Sequence, residues 1–291
     1  MKNLSRFVPV LFTFTAALLA TAGAQTIVQD FNAGGGGTFL TNWSQNGPNA
    51  ANFFQNTAGG GIGNSNAVDL TSNTGDATAI FRATPFDLST GTPTVSVSGY
   101  FRNQTPGGGS AVGAFQIGFG SDPGDGANTT NTGTAFNGAG VYSPDSTKTF
   151  LTARLRGNGA VEFQSGLTGV TTNSAASAAA TLVSGNLYFL SASFTRSLTV
   201  NTFSGSVSLF DSDASGTVGT LLATLSSATL TNSAIWTDST TYAGFRAAGQ
   251  TSGANGANLV DNFSASLVPE PTVFALAALG LAGCARRRRS V

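Results

Sequence analysis

Apolar residues recur at every second position through most of this chain, a spacing that suits sheets and little else. Over residues 94–102, Val95, Val97, Gly99 and Phe101 point one way, and Ser96, Ser98, Tyr100 and Arg102 the other. Phe115, Ile117 and Phe119 share a face of 114–120. Leu151, Ala153 and Leu155 share one in 149–156, with Thr152, Arg154 and Arg156 opposite. Tyr188, Leu190, Ala192 and Phe194 repeat the pattern in 187–196, and Phe203, Gly205, Val207 and Leu209 follow. In 258–268, Leu259, Asp261, Phe263, Ala265 and Leu267 alternate with Val260, Asn262, Ser264, Ser266 and Val268. Shorter strands are expected at 26–31, 39–43, 77–82, 161–164, 221–225 and 242–246. Gly157-Asn158-Gly159 is a tight hairpin signal, and 107–109, 122–126 and 252–256 read as loops. The alanine-rich stretch 173–180 has no apolar period and suits a helical turn or a loop equally. Many short antiparallel strands with one greasy face each must pack face to face. The expectation is an all-β fold, a two-sheet antiparallel β-sandwich, with the opening strand beside the closing one.

Composition agrees. The 22 phenylalanines supply a core, while only 9% of residues are charged. Disordered chains combine low hydrophobicity with high net charge, which this chain lacks. Scarce Lys and Glu also argue against exposed helix faces.

Both ends read as processing segments. Lys2 and Arg6 precede an apolar stretch at 7–20, and Ala22-Gly23-Ala24 offers small residues for cleavage after Ala24. At the other end, Pro269-Glu270-Pro271 precedes an apolar run, Val273 to Ala285, closed by Arg286, Arg287, Arg288 and Arg289. At ~1.5 Å per residue the run spans roughly 20 Å, short of a ~30 Å hydrocarbon core. Its Val, Phe and Leu residues supply about −1.5 to −3 kcal/mol of insertion free energy, and one arginine at the bilayer centre costs about +2.5 to +3.5 kcal/mol. The arginines therefore stop transfer, and the segment holds the membrane only briefly. The division expected is a signal helix at 1–24, a sandwich at 25–267, and a C-terminal signal with its hydrophobic helix at 268–291.

The ordered trio of Pro269-Glu270-Pro271, apolar helix and arginine cluster resembles the PEP-CTERM sorting signal. That resemblance implies a Gram-negative host, export through the Sec translocon, transient inner-membrane insertion, and processing by an exosortase-type membrane enzyme. It also implies a final place at the cell surface or in the extracellular matrix with exopolysaccharide. Leu281-Ala282-Gly283-Cys284 spells a lipobox, but at the wrong end of the chain. Cys284 is the only cysteine, so a trimmed chain would hold no disulfide and no thiol nucleophile.

Between the end segments stand seven basic residues, eleven aspartates and Glu162, a formal charge of −5. Without clustered cations a nucleic-acid ligand is not expected. There is no histidine, which removes Ser-His-Asp and Cys-His catalysis and the commonest transition-metal ligand. Carboxylate glycosidases need two carboxyl groups about the scissile bond; Glu162 has no carboxylate two or four residues away and reads as an exposed strand residue. Asp211, Asp213 and Ser215, followed by Gly216, resemble the first half of a calcium loop, although position twelve is Leu222 rather than Glu. A polar hairpin turn explains the same residues, and Asp122 to Gly126 reads as a plain turn. Trp43, Trp236, Tyr100, Tyr142 and Tyr242 are candidate stacking faces for sugars, though aromatic rings in sandwiches mostly serve the core.

Three features resemble the concanavalin-A-like jelly roll: the strand Phe115 to Phe119, the strands about Gly157-Asn158-Gly159, and the closing Asp261-Asn262-Phe263 strand. The reading is an exported, non-catalytic surface or matrix protein with no catalytic residues and no cofactor unless calcium binds. One alternative is a lectin-like carbohydrate-binding module, calcium-dependent if the 211–216 loop loads. A second is a carboxylate glycoside hydrolase.

Overall fold

The computed structural model describes residues 24–31, 42–46, 55–57, 61–69, 77–81, 83–91, 93–103, 113–121, 149–167, 170–197, 199, 202–230, 234–247 and 258–268. The expected signal helix and C-terminal hydrophobic helix lie outside these residues. Among the described residues, no helix is long and apolar enough to cross a membrane.

Among the described residues, fifteen strands form two antiparallel sheets. In chain order they are β1 Gln25–Gln29, β2 Trp43–Asn46, β3 Gln55–Thr57, β4 Ala67–Asp69, β5 Ala77–Phe81, β6 Thr94–Asn103, β7 Gly113–Gly120 and β8 Thr149–Arg156. They continue with β9 Val161–Leu167, β10 Val170–Asn173, β11 Leu187–Arg196, β12 Phe203–Ser212, β13 Val218–Leu230, β14 Tyr242–Ala247 and β15 Asn258–Val268. The first sheet runs β13-β12-β11-β6-β15-β4-β3, with β1 also on β15; the second runs β10-β9-β8-β7-β14-β5-β2. This is the expected sandwich, and Gln25 opposite Leu267 brings the two ends of its chain together.

The inward faces meet through aromatic rings contributed by both sheets. Phe101 of β6 stacks on Phe115 of β7 at 4.9 Å between centroids. Phe194 of β11 meets Phe163 of β9 at 5.4 Å, and Phe203 of β12 meets the same ring edge-on at 5.9 Å. Phe263 of β15 packs on Phe245 of β14 and Trp43 of β2 at 5.4 and 5.7 Å. A 3-10 turn at Ala234–Thr237 adds Trp236 beside Phe203. Each ring buried is worth about 1.5–3 kcal/mol in transfer, and each tilted or edge-on pair adds about 0.5–1.5 kcal/mol.

Alternation fails at one place in the closing strand. Leu259, Val260 and Asp261 pair with Arg102, Phe101 and Tyr100, but Ser264 pairs with Ser98, so β15 carries one extra residue at Asn262. Asn262 takes φ 45° there. The bulge flips the phase. Val260, Phe263, Ala265 and Leu267 face the core, while Leu259 and Asp261 lie on the outer face, instead of one continuous apolar side.

Three short strands, β3, β4 and β10, carry no periodic pattern and were not expected. Residues 39–41 lie outside the described residues, and the second strand starts at Trp43. The stretch after β10 is irregular and guards the edge of β9: Ser174 and Ser177 hydroxyls accept the Phe163 and Val161 N–H groups. Gly157-Asn158-Gly159 forms the hairpin foreseen. Gly159 takes φ +82°, and a Cβ there would sit 2.0 Å from the Ala180 carbonyl oxygen.

Phe194→Ala empties a site shared with Phe119, Phe163 and Phe203. It is expected to cost about 3–5 kcal/mol, read as a lower urea midpoint with unchanged slope.

Candidate functional site

The two outward faces are chemically different. On the second sheet, register places Arg246, Gln116, Arg154 and Glu162 in one cross-strand row, and Thr152 beside Gln164 in the next. All of these side chains are buried. Glu162, expected on the surface, is fully enclosed and pairs with two guanidinium groups, Arg154 and Arg156. Arg156 Nε donates to Glu162 Oε2 at 2.8 Å. Gln116 Nε2 donates to Gln164 Oε1 at 2.6 Å, and Arg246 donates to Gln116 Oε1 at 3.3 Å. Burial pulls the Arg246 guanidinium down to about 10, which leaves it cationic at neutral pH, and burial lowers Arg154 as well. With both carboxylate oxygens held by cations, Glu162 acts as the hub of an ion-pair network. Alternation shows where this residue points but not what lies over it, and the error in the sequence reading comes from that gap.

On the first sheet, the β12–β13 hairpin carries Asp211, Asp213 and Ser215. Asp213 Oδ1 accepts from the Ser215 N–H at 2.9 Å, the Ser215 hydroxyl at 2.7 Å and the Thr217 N–H at 2.8 Å. These bonds, the Ser215 hydroxyl first, hold its carboxyl below the usual aspartate range. Asp211 turns away and accepts the Thr220 N–H across the hairpin. Both carboxylates thus accept backbone N–H groups of the turn, and Ser215 sits on Asp213. Among the described residues no three Asp, Glu, His or Cys side chains gather within reach of one ion.

The same turn joins a junction that sequence reading missed. Asp261, displaced outward beside the bulge, accepts the Ile62 N–H and the Ser65 hydroxyl at 2.9 Å each, and the Asn262 N–H at 2.7 Å. The Gly63 N–H donates to the Ala214 carbonyl at 2.7 Å, and the Tyr100 hydroxyl donates to the Gly216 carbonyl at 2.8 Å. Gly216 takes φ +82° with Ile62 filling the space of a Cβ. Burial holds the Asp261 carboxyl above its ordinary range, against the pull of its donors. Burial, then the carboxylates of Asp213 and Asp261, raises Tyr100, so it remains a donor at neutral pH.

Of the five candidate stacking rings, Trp43 and Trp236 are core residues, and Tyr142 lies outside the described residues. Tyr242 and Tyr100 are half-buried on the outer faces of the second and first sheets. Beside Tyr100 stand Phe189 and Phe210, with centroids 4.7 Å from Tyr100 to Phe189 and 6.3 Å from Phe189 to Phe210. Neither was singled out from sequence. Both sit in the polar phase of strands whose apolar phase is Tyr188, Leu190 and Leu209, and that misplacement is itself a readable signal.

The proposed sorting residues Pro269, Glu270, Pro271 and Arg286 to Arg289, and the cleavage residue Ala22, lie outside the described residues; Ala24 is exposed just ahead of β1. Residues 267–289 match the PEP-CTERM protein-sorting motif, so the tail carries the signal of an exported, exosortase-sorted surface protein. The match takes in Leu267 and Val268, the last two residues of β15. No curated protein resembles the chain significantly in sequence. In fold it is similar to basic winged bean lectin with Tn-antigen, at 13% identity over 84% of this chain and 99% of the lectin, TM-score 0.51. Peanut lectin with a nine-residue peptide aligns at 12% identity over 84% and 98%, TM-score 0.48. Lectin I from Ulex europaeus with a methyl fucoside aligns at 10% identity over 84% and 98%, TM-score 0.48. In fold the body is a jelly-roll sandwich, as expected.

Two expectations follow. Glu162→Gln leaves Arg154 buried without its counter-charge and is expected to lower stability by about 3–5 kcal/mol in chemical unfolding. For Asp261, the native pKa lies above the unfolded one. As pH rises through that window the unfolded chain releases the proton first, so this contribution to stability declines. Melting temperatures across that pH range should fall with pH in the parent relative to Asp261→Asn; parallel profiles would refute the assignment.

Proposed function

We propose that this chain is a non-catalytic protein of the cell surface or extracellular matrix, delivered by Sec export and trimmed by an exosortase-type enzyme. The observation that carries the reading is the match of residues 267–289 to the sorting motif, in company with the N-terminal signal pattern. The tail is too short and too weakly inserting to be a lasting anchor. Once Arg286 to Arg289 have stopped transfer, the sandwich is left on the outer side of the membrane.

What supports a role without catalysis is the state of Glu162. A general acid must hold and release a proton, and a nucleophile must present a free oxygen to the sugar. Glu162 is enclosed and engaged by two guanidinium groups. The carbohydrate-binding alternative is favoured by a separate observation, the row of part-exposed rings on the first sheet.

Mass spectrometry of the protein recovered from membrane, surface and medium tests the reading. The mature product is expected to begin at Gln25 and to lack Cys284. Replacing Pro269, Glu270 and Pro271 by alanine should leave an uncut chain in the inner membrane. A stable full-length end product at the surface, or normal trimming of the alanine variant, would overturn it.

A further inference from the structure

The outer face of the first sheet is a field of hydroxyl groups in register. Ser266, Ser96, Ser193 and Ser206 form one row across β15, β6, β11 and β12. Ser264, Ser98, Ser191, Ser208 and Thr224 form the next, reaching β13. Hydroxyl oxygens lie 2.9 Å apart between Ser193 and Ser206, and 3.1 Å apart between Ser208 and Thr224. Neither row contains a charged residue. One step along the strands, the row changes character to Tyr100, Phe189, Phe210 and Leu221. Tyr100, Phe189 and Phe210 are part-exposed, and Leu221 is 48% exposed.

The three rings contribute nothing to the inter-sheet core. Successive strands of a sheet lie about 4.8 Å apart, so a row of rings on neighbouring strands makes a continuous apolar shelf. The shelf is built to keep its shape. The Tyr100 hydroxyl is tied to Gly216, and the turn bearing Gly216 is tied to the Gly61–Ser65 segment and through it to Asp261. Asp261, at the end of the row, is 2% exposed and committed to its three donors.

We infer that this face binds an uncharged polysaccharide chain, laid across the strands with sugar rings on Tyr100, Phe189 and Phe210 and its hydroxyls on the serine rows. Pyranose rings offer apolar C–H faces for aromatic stacking and hydroxyl groups at their rims, and this face offers both kinds of partner side by side. Other occupants fit less well. A nucleic acid, an acidic polysaccharide or an anionic membrane needs clustered cations; these rows have none, and the next row along β6 adds the single Arg102. A second copy stacked on the face would bury rows of serine hydroxyls against one another, where sheet-on-sheet packing needs interdigitating apolar side chains. The inference stands apart from the sorting reading, because it concerns the purified protein and not its route.

The test uses the full-length protein in mild detergent with cellulose, chitin, a soluble β-glucan and dextran as neutral probes, and alginate as the acidic one. Binding to at least one neutral glycan is expected, insensitive to salt between 50 and 500 mM. Phe189→Ser and Phe210→Ser restore the polar phase of their strands and should each weaken it about tenfold or more, with circular dichroism unchanged. Tyr100→Phe keeps the ring and should retain most of it. If a serine variant fails to fold, Ser191→Arg in the hydroxyl row gives the same readout from the polar side. The inference is overturned by no binding to any neutral glycan, by binding that survives the folded ring and hydroxyl variants, or by salt-sensitive binding to alginate alone. A dimer that Phe210→Ser dissolves would also overturn it, by showing the face to be an interface between copies.

Discussion

The two sheets are held together by aromatic rings reaching across from both sides. Phe101 on Phe115, Phe194 and Phe203 on Phe163, and Phe263 on Phe245 and Trp43 link the layers from one end to the other. This matters because the chain has few other means of cohesion. It has one cysteine, in the tail, and 9% charged residues, so neither disulfides nor surface ion-pair networks can do the work. Buried aromatic area does it instead, and the period-two spacing of the phenylalanines is the form that area must take when strands deliver it.

With cohesion secured inside, the outer faces are free to differ. The second sheet gathers three of the seven basic residues found between the end segments, with Glu162 and two glutamines, in an enclosed network. Losing a buried member is costly, because Glu162 and Arg154 are enclosed while Arg156 alone keeps partial contact with solvent. The first sheet carries hydroxyls, and above them a shelf of rings fixed by hairpin and turn. The bulge at Asn262 connects these features to the core. By inserting one residue it keeps Phe263, Ala265 and Leu267 inward and places Asp261 outward, where it anchors the Gly61–Ser65 segment.

Long strands were legible because each repeats its alternation four or five times; β8, β11 and β15 have the limits expected. Strands of three or four residues cannot display a period: β10 forms on the edge of the longer β9, and β3 on β4, a three-residue strand that is itself held by β15. The closing strand shows the same limit more sharply. Its ten alternating residues look like one uninterrupted face, and only the pairing with β6 reveals the slip at Asn262. Asp211 and Asp213 have calcium-loop spacing, yet spacing does not say where a carboxylate turns. Backbone N–H groups at Ser215, Thr217 and Thr220 were nearer partners.

The amino-acid order alone determined the sandwich class and the sorting signal of the tail. Each of these is written in contiguous residues, as a period or as an ordered motif. Tertiary structure decided that Glu162 is buried, that Asp261 pins a turn 199 residues away from it in sequence at Ile62, and that Tyr100, Phe189 and Phe210 share a shelf. Those outcomes depend on which strands become neighbours. Strand order is settled by the packing of the whole chain, and no single segment contains it.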